Sequence, residues 1–555
     1  MGGFRHLHRL FRLPVVVSVL WVMSVLLALG ACTTLPRLPV RIPRPHSALE
    51  AFQELKGPHA VAGVVTMTDN AYAWGARWEL ITDARSSIDF STFIIDNDVF
   101  GFAILGALTE RARAGVKIRM LLDGRGSMAI STSMLGRDYL QEMVQTGNVD
   151  IHVFNPPLSE LVGSLLKLDA VQVSAGTHNK ILVVDDAIAV VGGRNVNSHY
   201  FATLLEDPGA VADADVLVDG AEVVAAIKDV MSREFNSWRR DDVAADPINF
   251  SPQLDELLMF AGAMDAWVRG RVVDGTDDEM LEVLRQAGRE RIDHEPAPRT
   301  VELLQQRLRA LLVYRSVRGT VPTTFLPRVQ VDARVVATVS RARSLKSNAA
   351  TDAVLRAIAG ARSDIVIQSP SFILSPQLLR AFEEASARGV SITVLTNSPL
   401  SSDSAIAQSL FIDSWPELMA RIKTLRIFTA RIKQMQHAKR AVFDDELSFL
   451  GTYNLDPFST KMNSETIIAS WSTLVAAQTR TELSAKLATM DEYRIARDVF
   501  GRPQRHPVGH ARAGQVVVLF GPRDQVSPAE IDAIEGVKAW LLGLQNLWDF
   551  DVVVW

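Results

Sequence analysis

One cysteine in 555 residues excludes a disulfide framework within the chain and any cysteine-ligated metal cluster. Basic charge is also in short supply. Lys and Arg number 58 against 63 Asp and Glu, a net charge of −5, which argues against a nucleic-acid partner gripped across a broad basic face. Only one long apolar run is present, and that excludes a polytopic membrane protein. With 48% hydrophobic and 22% charged residues, the composition is equally far from a disordered chain. At about 150 residues per domain, the length allows three or four units or two large ones.

The apolar run lies at the N-terminus. Arg5, Arg9 and Arg12 precede a stretch from Leu13 to Ala31, the layout of a secretory signal. It ends in Leu29-Gly30-Ala31-Cys32, and this holds the only cysteine. The arrangement resembles a bacterial lipobox, in which Cys32 is lipidated and becomes the mature N-terminus. The competing expectation is an uncleaved transmembrane anchor. Either way the body is expected on a membrane of the bacterial cell envelope, facing the periplasm or exterior. Thr33 after the cysteine is not the Asp that signals inner-membrane retention in enteric bacteria, which favours export to the outer membrane in a host of that kind and leaves the choice of membrane open otherwise. Pro36, Pro39, Pro43 and Pro45 then read as an extended spacer.

An internal repeat organises the rest. Ala84-Arg85-Ser86-Ser87-Ile88-Asp89-Phe90 is echoed by Ala361-Arg362-Ser363-Asp364-Ile365-Val366-Ile367, and Ala114-Gly115-Val116 to Leu122 by Arg388-Gly389-Val390 to Leu395. Short apolar strands alternating with helical patterns predict an α/β class with a mixed or parallel sheet. The helical stretch between the copies, with Val301, Leu304, Leu308 and Leu311 at helical spacing, reads as a bridge between two halves. Near the end, Val516 to Phe520 reads as a strand. Ser527, Pro528 and Glu530 read as the capped start of a helix carrying Trp540, Leu541, Leu544, Leu547 and Trp548, its apolar face expected on the core. The division is therefore 1–32 signal and lipobox, 33–64 spacer, 65–250 first domain, 251–320 helical insert, 321–480 second domain and 481–555 C-terminal extension.

Each half carries one motif at a matching point. His178-Asn179-Lys180, Asp185 and Gly192-Gly193-Arg194-Asn195 match His437-Ala438-Lys439, Asp444 and Gly451-Thr452-Tyr453-Asn454 at identical offsets. His and Lys two apart on an extended strand share a face. An antiparallel return predicts that Asn195 and Asn454 come back beside their own histidines. The glycines just before them permit close backbone approach. Imidazole, ammonium and carboxamide together suit an oxyanion with several oxygens, phosphate above all, and two such half-sites would enclose a phosphodiester. The chain has no His-Glu-x-x-His, and no carboxylate stands at a ligand position beside either histidine. The site is read as metal-free and without cofactor.

The paired motifs resemble the HxK(x)4D(x)6GxxN signatures of the phospholipase D superfamily over roughly residues 65–480. Gly192 to Asn195 followed by His199-Tyr200-Phe201, and Asn454-Leu455-Asp456-Pro457 with Asn463-Ser464-Glu465, are most similar to bacterial cardiolipin synthases; Phe458 stands where that family usually has Arg. The resemblance implies duplicated α/β/α domains packed with pseudo-twofold symmetry. It also implies a phospholipid substrate and a phosphohistidine intermediate. The symmetry of the motifs leaves the roles of the histidines open. The resemblance implies His178 as nucleophile and His437 as acid and base, with Lys180, Lys439, Asn195 and Asn454 on the phosphate oxygens. Asp185 and Asp444 belong to the signature but sit at hairpin turns and read as structural. The family orients each histidine with a later carboxylate, here Asp213 or its close competitor Asp215, and Glu465. The expected activity is phosphatidyl transfer that makes cardiolipin from phosphatidylglycerol. A hydrolase releasing phosphatidic acid is the alternative, ahead of a catalytically inactive envelope lipoprotein that binds lipid or a partner.

Overall fold

The hairpins that carry the repeated motif form from apolar runs, β-branched in the first half and richer in Phe and Leu in the second. Ile181–Val184 pairs antiparallel with Ile188–Gly192, and Arg440–Phe443 with Leu447–Gly451. Asp185, Asp186 and Asp444 turn the corners at φ of 53°, 56° and 50°, a left-handed backbone that Asp tolerates better than most residues. The computed structural model describes residues 44–127, 139–154, 176–237, 240–244, 254–322, 324–339 and 348–548. Cys32 and its flanks lie outside the described residues, and no described helix is long and apolar enough to cross a membrane.

Among the described residues both hairpins belong to one 16-stranded sheet. The first half supplies β1 (His59–Met67), β2 (Ser87–Thr92), β3 (Lys117–Asp123), β4 (Val149–Phe154), β5 (Ile181–Val184), β6 (Ile188–Gly192), β7 (Asp215–Asp219) and β8 (Arg240–Asp242). The second supplies β9 (Val329–Thr338), β10 (Asp364–Gln368), β11 (Ser391–Thr396), β12 (Leu425–Ala430), β13 (Arg440–Phe443), β14 (Leu447–Gly451), β15 (Glu465–Trp471) and β16 (Met490–Glu492). Read outward from the centre, the first half runs β1-β7-β6-β5-β2-β3-β4-β8 and the second β9-β15-β14-β13-β10-β11-β12-β16. The two orders correspond strand for strand. They meet where β1 and β9 pair antiparallel, with His59 opposite Arg334 and Val64 opposite Val329. An antiparallel join of equivalent strands is what a pseudo-twofold axis through the sheet requires.

The repeat seen in the sequence has a local cause. Gly115 and Gly389 take positive φ (94° and 85°) just past helices Val99–Arg113 and Pro376–Ala387, ending each helix so that β3 and β11 can begin. Core packing follows the halves. One apolar cluster joins Trp74, Phe100 and Ile104 to the first-half strands, and a second gathers Ile358, Phe382, Ile392 and Trp415 in the second half. A third spans the join, bringing Val64, Val183 and Val218 together with Val335 and Ile468.

Three expectations change. The helices Leu254–Val268, Asp277–Arg289 and Pro298–Leu311 do not bridge the halves. Phe260, Leu284, Leu304 and Leu308 belong to the first-half core, where Phe102 meets Phe260 edge-on at 5.7 Å. Their apolar stripe needed a partner, and the face of helix Val99–Arg113 supplies it. Within the stretch read as spacer, Ala48–Gln53 is a helix capped by Ser47 whose Phe52 packs into the second-half core, and β1 begins at His59. The second half extends past 480, because β16 closes its edge against β12. At the C-terminus, Val518–Phe520 pairs with Arg494–Ile495, and Ser527 and Glu530 form the expected reciprocal cap. Ile531 and Ile534 of the last helix pack on Ile412. The side chains from Trp540 to Trp548 lie outside the described residues.

Candidate active site

Each motif histidine ends a loop that runs into a hairpin strand, and each loop is clamped to the other half. His178 N donates to Ser464 O at 3.3 Å and Ser464 N to Gly176 O at 3.1 Å; His437 N donates to Ala212 O at 2.8 Å and Ala212 N to Met435 O at 2.9 Å. These bridges set each histidine beside a carboxylate of the opposite half. His437 Nδ1 lies 2.6 Å from Asp213 Oδ2, and His178 Nδ1 lies 3.2 Å from Glu465. With Nδ1–H donating to a carboxylate, the Nε2 lone pair of His178 is left for chemistry, and that of His437 faces Lys439 Nζ at 2.9 Å. Both histidines are 8% exposed, reachable but largely dry.

Between the two candidates for the first carboxylate, the structure places Asp213 on histidine. Asp215 instead accepts from the buried Arg194 at 2.7 Å and pairs with Arg77 at 2.9 Å. Arg194 Nη2 also donates to the Asp213 carbonyl at 3.0 Å, so this guanidinium fixes the chain that carries His437's partner. The glycines before Asn195 make room for carboxylates: a Cβ on Gly193 would fall 2.1 Å from Asp213 Oδ1. In the second half Thr452 occupies that place, and its hydroxyl donates to Glu465, as does Ser459 Oγ at 2.6 Å.

The lysines follow their histidines on the same face. Lys180 Nζ donates to His178 O at 2.7 Å and stands 5.1 Å from the centre of the Phe93 ring; Lys439 Nζ lies 2.9 Å from the His437 ring nitrogens. Burial, then Lys439, pull Lys180 down to about 7, and burial pulls Lys439 down to about 8. Burial, then Lys180, bring His178 down to about 4 against the pull of Glu465. His437 is lowered by burial and Lys439 in the same way, while Asp213 opposes. Burial works against the charge on Asp213, but His437 and Lys439 outweigh it and hold the carboxyl well below the usual range. The ammonium of each half-site thus depresses titratable groups of the other, as expected of a single pocket.

The two asparagines differ in how far their amides are engaged. Asn195 Oδ1 accepts from Ile94 N at 3.1 Å and Nδ2 donates to Tyr200 OH at 2.8 Å, which leaves one amide hydrogen. Its link to the site runs through Tyr200, whose ring meets His437 edge-on at 5.3 Å. Asn454 N donates to Ser459 Oγ at 3.1 Å, and its buried Oδ1 has no hydrogen-bond partner among the described residues. Asp185 and Asp444 lie away from the histidines. Asp185 accepts from the backbone N–H of Arg85, Ser86 and Ser87 and from Ser86 Oγ; Asp444 accepts from Arg362, Ser363 and Asp364 and from Ser363 Oγ. The echoed Ala-Arg-Ser sequences are the other half of these turns.

Sequence reasoning missed several neighbours. Asp123 Oδ2 accepts from Thr177 N and Asn397 Oδ1 from Gln436 N, equivalent acceptors just before each histidine. Their positions at or just beyond the ends of the matched strands β3 and β11 were the available signal. Among the described residues no group of His, Cys, Asp or Glu forms a metal cluster. Facing the two lysines, a phosphodiester can be attacked at phosphorus by one neutral imidazole from one side, while the other imidazole, protonated as the anion arrives, gives its proton to the leaving oxygen from the other.

A family model described as cardiolipin synthase, PLD-like domain, matches residues 78–235 and 354–487, more than half the chain. Cardiolipin synthase C of Escherichia coli (strain K12) is 24% identical over 427 residues, 73% of this chain and 80% of that protein. Cardiolipin synthase B of Salmonella typhi is 33% identical over 148 residues, 27% of this chain and 32% of the relative. Among solved structures, phosphatidylserine synthase of Haemophilus influenzae Rd KW20 superposes with a TM-score of 0.56 at 13% identity, over 90% of this chain and 99% of that one, a likeness of fold.

Proposed function

Since the chain belongs to the phospholipase D superfamily, in the family of cardiolipin synthase PLD-like domains, we propose that it is a phosphatidyltransferase that joins two phosphatidylglycerol molecules into cardiolipin and glycerol. The observation that carries the reading is the crossed pair of dyads, His178 with Glu465 and His437 with Asp213. His178 Nε2 attacks phosphorus and forms the P–N bond, while the bond to the glycerol oxygen breaks and His437 gives that oxygen a proton. The hydroxyl of a second phosphatidylglycerol then loses its proton to His437 and attacks phosphorus, and the P–N bond breaks. The arriving phosphodiester anion favours the protonated imidazole that His437 needs for the first step. The ammoniums of Lys180 and Lys439 stabilise the charge that builds on the phosphorane oxygens.

Cardiolipin as product is supported by the sequence around Gly192 to Phe201 and by the family. The proposed site of action is the outer side of a bacterial envelope membrane, with the body held by a lipidated Cys32. The first test takes the chain from residue 33 onward with phosphatidylglycerol in mixed micelles and reads products by mass spectrometry, beside His178→Ala. Cardiolipin with glycerol, absent in the variant, is the expected result. Phosphatidic acid alone makes water the acceptor and the protein a phospholipase. No product leaves an inactive binding protein. The anchor is tested by fatty-acid labelling of the full chain in bacteria, which Cys32→Ser should abolish.

A further inference from the structure

Helix Ala221–Phe235 lays one stripe on the sheet. Val223, Ile227, Val230 and Glu234 succeed one another at helical spacing, and all four are buried. An acid in such a row is costly unless it is hydrogen-bonded. Glu234 Oε2 accepts from Asn179 Nδ2 at 2.8 Å and from Thr177 Oγ1 at 3.2 Å, and the Ser464 side chain also bonds to this carboxyl. Thr177 and Asn179 flank His178, and Ser464 precedes Glu465. Thr466 Oγ1, on the other side of Glu465, donates to Asn179 Oδ1 at 2.8 Å. One carboxyl thus sits under the seam between two segments from different halves. The alignment of that seam sets the distance from His178 to Glu465.

The other dyad lacks this device. Ala438 stands where Asn179 does and has no polar side chain. Counting from the two orienting carboxylates, Lys486 of helix Thr473–Leu487 takes the place of Glu234. Burial pushes Glu234 up to about 7 against the donors Ser464, Asn179 and Thr177, and Glu465 adds to the rise. A neutral carboxyl there can donate as well as accept and places no second negative charge beside Glu465.

We infer that Glu234 is a positioning residue for His178, tying the segment that bears the nucleophile to the segment that bears its orienting carboxylate. This rests on the phosphoryl-transfer reading of the site. The test compares Glu234→Gln and Glu234→Leu in the full chain with phosphatidylglycerol micelles. It measures kcat and KM, the rate of phosphohistidine formation after alkaline quench, and the melting temperature. Glu234→Leu is expected to lower kcat and phosphohistidine formation about 10- to 100-fold, the range of such supporting contacts, with KM within about twofold. Glu234→Gln, which keeps an oxygen for Asn179 and Thr177, is expected within about threefold of wild type. Should the leucine variant fail to fold, Asn179→Ala and Thr466→Val cut the same link and are expected to lower kcat in the same direction. A wild type that forms phosphohistidine beside a leucine variant equally fast, or a glutamine variant as slow as the leucine one, overturns the inference alone. Absence of phosphohistidine in the wild type overturns the reading of the site and the inference with it.

Discussion

Asp213, on the segment leading into a first-half strand, accepts a hydrogen bond at 2.6 Å from His437, which lies in the second half. Glu465 and His178 repeat the relation in reverse at 3.2 Å. Neither half holds a histidine together with its own orienting carboxylate. The backbone bridges Thr177–Ser464 and Ala212–Gln436 make this exchange, and the antiparallel join of β1 to β9 allows it. The two halves are therefore one catalytic unit.

Asp213→Asn keeps shape and removes the charge that stabilises the His437 imidazolium. By analogy with other carboxylate–histidine pairs, turnover should fall about 10³- to 10⁴-fold. Stopped-time product assays and thermal melting together check it. A turnover loss under tenfold would remove Asp213 from the mechanism.

Two glycines at neighbouring places in the motifs should separate chemistry from folding. Alanine at Gly193 puts a Cβ 2.1 Å from Asp213 Oδ1, so it displaces the carboxylate from His437 and should lower kcat about 10²-fold. Alanine at Gly451 meets the Thr466 carbonyl oxygen at 2.0 Å, a backbone atom that cannot swing aside. That variant should lose about 1–3 kcal/mol of stability, read by denaturant unfolding.

What could be read beforehand was local. The hairpins, the matched offsets and the duplicated α/β order follow from short-range spacing, and the structure builds them on the same residues. Asp213 and Asp215 look alike in a sequence because both alternate with small residues. Only the packing of Gly192 and Gly193 against them, and the guanidinium of Arg194 waiting for Asp215, separates the two. The exchange of carboxylates depends on contacts between residues more than two hundred positions apart, to which periodicity is blind. For the same reason the helical insert showed its apolar stripe but not the first-half core that receives it. Nor does the motif spacing show that Tyr200 and Ile94 take most of the hydrogen bonds of Asn195.

Asp185 should matter for folding and hardly for chemistry. Burial alone would raise its pKa, but the donors Ser86, Ser87 and Arg85 outweigh it and hold the carboxyl below its ordinary range. A depressed carboxylate contributes stability above its unfolded value near 3.8, and that stability is lost as pH falls through the lower folded value. Asp185→Ala loses these bonds and also puts alanine at a φ of 53°. It should cost about 2–3 kcal/mol while leaving kcat within about threefold at temperatures where it stays folded. Asp185→Asn, better suited to that backbone, should cost less. Urea unfolding at pH 7 and pH 3 checks both: the gap between wild type and Asp185→Ala should narrow at the lower pH, which lies below the unfolded value.

The lysines make anion binding pH-dependent with a definite sign. Lys180 is pulled down to about 7 and Lys439 to about 8, so both are partly neutral at pH 8. A phosphodiester anion favours the charged ammonium and raises both values, so binding must take up protons between pH 7 and 9. Affinity should then weaken as pH rises through that window, by up to about tenfold per pH unit for each lysine recharged. A phosphonate monoester is a suitable ligand, because its single charge is constant over this range. Calorimetry at pH 8 in two buffers of different ionisation enthalpy reads the proton uptake directly. Lys180→Met should abolish most of the uptake below pH 8, since Lys180 has the lower value of the two. Zero uptake in the wild type would mean that both ammoniums are already charged before the ligand binds, and that burial does not depress them.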